Sequence, residues 1–245
     1  MANKKIAVIG AGIGGLTLAY RLIQKGRSVT IYEKSSDVGG LMGGFTIAGT
    51  SLEKTYHHIF KTDTDAINLI NELGLEDKLT WAESSIGLYY EHTLSPFATP
   101  LDLLKFPQLN IFDKLRSGLV ALYLQRLNNY QPLIPIKAHQ WMKKYCGSNF
   151  YQVVWEPLLK GKFHQHYDNI SMAWLWARIH TRINSKDRDG LERLGYLLGG
   201  FNQITQALVK KIGPNNIKTN TEIKDFSSIK ADTSSILVLP KKLTI

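Results

Sequence analysis

Cysteine is almost absent: Cys146 stands alone in 245 residues. That excludes an internal disulfide and any cysteine-rich metal site. Long apolar runs are equally scarce, and the longest, over residues 118–124, falls far short of the ~20 residues that cross a bilayer. Strand-forming residues begin a few positions after Met1, so a signal peptide is not expected, and the expected address is cytoplasmic. No low-complexity linker and no internal repeat breaks the chain. Acidic residues are in deficit, with 20 Asp and Glu against 30 Lys and Arg and a net charge of +10. The basic residues are scattered along the chain without any nucleic-acid motif, so a nucleic-acid partner is set aside. The surplus suits an anionic substrate or, by peripheral contact, the anionic face of a membrane. A composition of 44% hydrophobic and 20% charged residues is that of a globular protein.

What is present is a glycine fingerprint. Ile6, Val8 and Ile9 read as a buried parallel strand, followed by Gly10-Ala11-Gly12-Ile13-Gly14-Gly15. Gly10 permits a tight turn, Gly12 lets backbone approach a pyrophosphate, and Gly15 lets the next helix pack close to the strand. The N-terminus of that helix, near Ile13 and Gly14, offers free N–H groups and a positive dipole end to phosphate. Ala19 and Leu22 face the sheet, Gly26 ends the helix, and residues 29–32 form the next strand. Glu33 stands at its carboxyl end, where a carboxylate accepts ribose hydroxyls. Strand, turn, helix and acid agree on dinucleotide binding. Downstream, Gly39-Gly40 follows the acid after a short spacer.

With that second pair, the sequence resembles the FAD-dependent amine oxidase, phytoene desaturase and protoporphyrinogen oxidase-like flavoproteins. In those proteins the acid is followed by a glycine pair that also approaches the FAD phosphates, and an Arg or Lys often comes next. Here Leu41-Met42-Gly43-Gly44 takes that place, which removes a cationic contact. The resemblance implies FAD as cofactor, with Gly10, Gly12, Ile13, Gly14, Gly15, Glu33, Lys34, Gly39, Gly40 and Leu41 around it. It also implies a return to the cofactor domain through Gly199-Gly200 and the helix after them. A later apolar residue then lies against the adenine, and Ile223 is either that residue or plain strand core.

Spacing predicts strands over 45–47 and 51–53, a helix over 64–73 stopped by Gly74, and one strand over 81–90 before a turn at 91–93. A short helix over 101–106 lies between prolines, and a longer one covers 111–130. Its apolar face carries Phe112, Leu115, Leu119, Leu122 and Tyr123, with Lys114, Arg116, Gln125 and Arg126 outside. That face is either core or a membrane contact. Further helices cover 138–145, 149–156 (opposed by Pro157), 172–183 (capped by Ser171) and 201–212. Strand or hairpin follows over 216–226, and a last strand over 236–239. The expected fold class is α/β: a Rossmann-like FAD/NAD(P)-binding domain with a mainly helical substrate-domain insertion. The expected divisions are 1–94, 95–196 and 197–245.

Chemistry is expected near the adjacent histidines of 53–60. His58 matches a histidine close to the flavin in UDP-galactopyranose mutases, and a neutral imidazole there can donate or carry a proton. Lys160 or Lys162 can face an anion, while His164 and His166 lack further ligands at metal spacing, so no metal is expected. Arg178 and Arg182 share a helix face. The resemblance implies hydride transfer from a small-molecule substrate to flavin, the flavin doing the hard step. Its alternatives are an isomerase of the mutase type and a truncated, non-catalytic chain that binds FAD or a partner. Relatives close with a C-terminal FAD segment, for which this sequence has no match. The expectation is therefore a truncated product, one half of a split enzyme whose partner chain supplies that segment, or a fragment.

Overall fold

The computed structural model describes residues 5–225 and 233–238. In chain order the elements are β1 (Lys5–Ile9), α1 (Ile13–Gln24), β2 (Ser28–Tyr32), β3 (Gly44–Ile47), β4 (Thr50–Glu53), α2 (Thr64–Glu72), β5 (Leu79–Glu83), β6 (Gly87–Tyr90) and β7 (Thr93–Pro96). Then come α3 (Pro100–Lys105), α4 (Ile111–Arg126), α5 (Ala138–Cys146), α6 (Ser148–Phe150), α7 (Glu156–Phe163), α8 (Met172–Asn184), β8 (Arg193–Leu197), α9 (Asn202–Ile212), β9 (Ile217–Lys218) and β10 (Thr233–Val238). Two compact units result. Among the described residues, the first takes those up to Ile59, Thr64–Thr80 and those from Gly195 on, and the second takes Phe60–Asp63 and Trp81–Leu194.

The first unit is built on a parallel sheet in the order β10-β1-β2-β9. β1 and β2 run in step from Lys5 opposite Ser28 to Ile9 opposite Tyr32. Ala7, Val8, Val29 and Ile31 are buried, as unbroken apolar strands covered on both faces require. α1 crosses over between them and packs against α9. Gly15 makes that packing close: a Cβ on it would lie 1.9 Å from the Gly10 carbonyl oxygen. Beside the sheet, β3 and β4 form an antiparallel hairpin whose turn, Ala48-Gly49, has φ of +49° and +79°. Arg21, Gln24 and Tyr20 of α1 all bond the Glu72 carboxylate of α2.

The second unit is mostly helical, with the β6–β7 hairpin at its start. Its core gathers Phe106, Leu124, Met142, Tyr151, Leu159, Met172 and Leu175. Thr99 and Asp102 form a reciprocal cap on α3, and Ser171 Oγ accepts the Ala173 N–H at the start of α8 (3.1 Å).

Four expectations are corrected. The single strand over 81–90 is two, β5 and β6: Ser84 N–H still bonds Glu192 O (2.9 Å) beside β8, and the chain then leaves for the β6–β7 hairpin. Pro157 does not stop its helix. A π-helical stretch, Tyr151–Trp155, precedes it, and Pro157 falls in the first turn of α7, where its missing N–H costs little. The strand over 216–226 shrinks to β9, since Asn220 takes φ +52° and turns the chain, an excursion asparagine tolerates. Phe226 and Leu239 lie outside the described residues.

The largest correction concerns α4. Phe112, Leu115, Leu119, Leu122 and Tyr123 are exposed, and the buried face carries Ser117 and Leu124. Ser117, Gly118 and Ala121 on this face line a pocket together with Met142 and Cys146 of α5 and Ile179 and Ile183 of α8. The Trp176 indole N–H bonds the Leu124 and Leu127 carbonyls (3.1 and 3.0 Å), which fixes the helix's rotation. Arg116 is exposed as expected and Lys114 half-buried, and they donate to the carbonyls of Tyr145 (2.5 Å) and Leu104 (2.7 Å).

Gly15→Ala should therefore destabilise the protein by about 3 kcal/mol or more, since backbone rather than a flexible side chain must yield. Urea unfolding measures it, and an unchanged midpoint would contradict the close contact. Burial pushes the Cys146 thiol up to about 12, so thiol reagents should leave the native protein unlabelled and react fully only on unfolding.

Candidate functional site

The site grows from the β1–α1 turn of the first unit. Gly10 has φ +97°, and its N–H bonds Tyr32 O (2.8 Å), which closes the turn over the end of β2. Gly12 precedes α1 with extended backbone, and no atom lies within 4 Å of where its Cβ would be. No side chain caps α1 and no acid stands in its first turn. The N–H groups of Ile13 and Gly14 are thus left without the capping partner that a structural helix start recruits, beside open space.

Glu33 is bound into the same turn. Its Oε2 accepts the Ala11 N–H at 2.7 Å and its Oε1 the Ser35 N–H at 2.9 Å. Burial pushes the carboxyl up, but the Ser35 and Ala11 N–H groups and the Lys34 charge outweigh it and hold it below the ordinary carboxylate range. Each carboxylate oxygen keeps a second lone pair for a hydroxyl donor.

The second glycine pair sits directly on the first. Gly39 N–H donates to Ala11 O at 2.7 Å, and Gly39 forms a parallel bridge with Gly12. Gly39 has φ +103°, and a Cβ there would meet Gly43 backbone at 3.1 Å and Thr205 Oγ at 3.3 Å. Gly40 has φ +58°, and its Cβ would fall 3.4 Å from Gly12 Cα. The structure thus gathers Gly10, Gly12, Ile13, Gly14, Gly15, Glu33, Gly39 and Gly40 at one turn. Lys34 and Leu41 lie beside them as exposed side chains.

Ile223 is half-buried and lies in irregular chain after β9, not in a strand. The nearby Thr221 N–H bonds Glu33 O (2.8 Å), which ties its segment to the end of β2. His58 is half-buried in the loop before the Ile59–Gly195 bridge, with its ring stacked on Tyr56.

Sequence reasoning missed Glu53. Its side chain is 6% exposed, and its Oε1 accepts the Phe201 N–H (2.6 Å) at the start of α9. The His57 ring lies 3.9 Å from its other oxygen, an ion-pair distance too long for a hydrogen bond. Burial, then the Glu53 charge and its hydrogen bond, raise the Tyr196 phenol above its ordinary value. An acid four residues before a histidine was the available signal, but its partner Phe201 is 148 positions away.

In the second unit the expected charged side chains have structural partners. Lys160 pairs with Glu156 (3.1 Å), Lys162 lies over the Trp174 ring, and Arg178 lies over the same ring. Arg182 bonds the buried Glu192 (3.0 Å). Among the described residues no group of His, Cys, Asp or Glu is arranged to hold a metal. The unit holds a partly open pocket of about 560 Å³ whose wall includes Phe97, Leu103, Val120, Met142, Phe150 and Trp155.

The turn fits the adenosine diphosphate end of a dinucleotide: backbone at Gly12 is open to approach, helix N–H groups are uncapped, and an ionised carboxylate has spare acceptor capacity. Comparison with known proteins narrows the cofactor. Residues 13–239 match the family described as flavin containing amine oxidoreductase. The chain is 22% identical to the mitochondrial protoporphyrinogen oxidase of Nicotiana tabacum, over 95% of its own length and 52% of the relative's. It is 24% identical to the putrescine oxidase of Kocuria rosea, over 91% and 49%. Its fold matches reduced UDP-galactopyranose mutase with a TM-score of 0.61 at 18% identity, over 89% of this chain and 48% of that one. The chain spans about half the length of these curated relatives. It belongs to the flavin containing amine oxidoreductases, FAD-dependent oxidoreductases built on this α/β fold.

Proposed function

We propose that this chain binds FAD through the β1–α1 turn and serves hydride transfer from a small-molecule substrate. The observation that carries the reading is the open space at Gly12, enclosed by the uncapped start of α1, the Glu33 carboxylate and the Gly39-Gly40 pair. In this reading the N–H groups of Ile13 and Gly14 hold phosphate, and Gly40 leaves room on its other side. Glu33 accepts ribose hydroxyls while its bond to Ala11 keeps the turn closed. Ile223 lies against the adenine, with Lys34 and Leu41 at the margin. His58 donates to flavin or substrate at the ring.

Bound flavin supplies the hydride acceptor, so the protein's task is to orient and to exclude water. The apolar pocket of the second unit suits an apolar portion of the substrate. A cytoplasmic site of action is part of the same proposal. Anaerobic mixing of the FAD-loaded protein with candidate amines and unsaturated lipids tests the reaction. Bleaching of the flavin absorbance supports it, whereas turnover of a nucleotide sugar by reduced protein without net oxidation would favour the mutase-type isomerase.

Two substitutions test the cofactor site. Gly12→Ala should leave the apoprotein as stable as before, or slightly more so, because its methyl meets no atom and the backbone is ordinary. Flavin retained on purification should nevertheless fall by about tenfold or more, since ~1.4 kcal/mol of crowding at the pyrophosphate suffices. Equal retention in a folded protein would count against this turn as the phosphate site. Glu33→Gln should weaken retention less, because an amide oxygen still accepts one hydroxyl.

The same variant carries a pH signature. A carboxyl held below its ordinary value contributes stability that is present at neutral pH and lost as pH falls through its folded value. Glu33→Gln should therefore lower apoprotein stability most at neutral pH, and the gap from the unsubstituted protein should narrow in acid. Thermal unfolding across that range measures it, and a gap independent of pH would contradict the assignment.

A further inference from the structure

The pocket of the second unit carries a single charge. Its wall is apolar over Phe97, Leu103, Val120, Phe150, Ile179 and Ile183, and among the described residues that line it Lys186 alone is charged. Lys186 is half-buried, and its ammonium donates to Ala98 O at 2.7 Å. An ammonium has three protons, so two remain. The acids close to it in sequence are committed elsewhere. Asp187 pairs with Lys61 and Arg193, Asp189 with Arg193, and the buried Glu192 with Arg182. Among the described residues no carboxylate pairs with Lys186. A half-buried cation without a counter-ion, set in an apolar wall, is a place for an anion with an apolar body.

α4 gives the pocket a long axis. Ser117, beside Cys146 of α5, lines it in the first half of that helix. Gln125 lines it near the helix end, where its side chain bonds Asn184 of α8 (3.4 Å). Eight residues of helix rise ~12 Å. Lys186 follows Asn184 by two positions, which puts the charge at the Gln125 end. The volume, about 560 Å³, is that of a small-molecule site.

We propose that this pocket binds a medium-chain aliphatic carboxylic acid, with its chain along α4 and its carboxylate on the Lys186 ammonium. Two free protons on one cation match the two oxygens of a carboxylate, whereas a dianionic phosphate would bring one charge more than the wall neutralises. The proposal deepens the reading of this pocket given above and rests on it. All the groups it uses belong to the second unit, and the binding is measured without flavin chemistry. Failure here therefore leaves hydride transfer standing, and the reverse also holds.

Titration calorimetry of the whole protein at neutral pH tests it, with hexanoate, octanoate, decanoate and decan-1-ol as probes. Affinity should rise by roughly fourfold for each methylene added between hexanoate and decanoate. Decanoate should bind about tenfold or more tighter than decan-1-ol, and added salt should narrow that gap. Lys186→Met keeps an apolar stem and removes the charge, so it should abolish the gap while leaving decan-1-ol affinity unchanged. Gly118 lines the pocket, and a Cβ on it would meet no atom within 4 Å. Gly118→Leu should therefore hold or raise the thermal midpoint and lower decanoate affinity by about tenfold or more by filling the space. No decanoate binding would overturn the proposal, as would equal affinity for acid and alcohol. A gap that survives Lys186→Met would refute the carboxylate contact. Decanoate binding indifferent to Gly118→Leu in a folded protein would place the acid outside this pocket and refute the site.

Discussion

The contact between the Gly10 carbonyl and Gly15 governs the first unit. With no Cβ at Gly15, the first turn of α1 rests directly on the end of β1, and any side chain there would collide with backbone at 1.9 Å. This approach aims the helix start at the turn and fixes where its uncapped N–H groups lie. Once the turn is set, Ala11 presents its N–H to Glu33 and its carbonyl to Gly39. One residue without a functional side chain thus joins both cofactor motifs through its backbone.

Glu53 does comparable work in the hairpin that follows the second glycine pair. Its buried carboxylate receives the Phe201 N–H, so the hairpin of β3 and β4 and the start of α9 are held by a charge-assisted bond. Asn202 adds a bond to Ser51 Oγ (3.0 Å), and Gly44 allows this approach, since a Cβ there would lie 3.0 Å from Asn202 Nδ2. α9 in turn brings the buried Thr205 against Gly39. The return of the chain is therefore part of the cofactor turn's support.

The second unit follows another rule. Its central helix buries small residues and turns large ones outward, the reverse of ordinary amphipathic packing. The Trp176 bonds to its carbonyls hold this rotation, with the leucines left outside. A surface of this kind has a cost in water, which is the physical reason to look for an apolar partner.

The sequence by itself determined everything that depends on neighbouring residues. The glycine turn, α1, the acid after β2, the hairpin over Ala48-Gly49 and the stops at Gly26, Gly74 and Gly147 follow from local conformational limits that a short stretch displays. The flavoprotein resemblance was legible for the same reason, because its specific motif occupies consecutive residues. Tertiary structure alone decided which face of α4 turned inward, that a π-helical stretch carries the chain past Pro157, that Asn220 ends β9, and that Glu53 rather than a histidine anchors its loop. Each of these rests on a partner far along the chain or on competition between packing surfaces. Apolar spacing shows that a helix has two faces, but only the shape and hydrogen bonds of its neighbours select the one to bury.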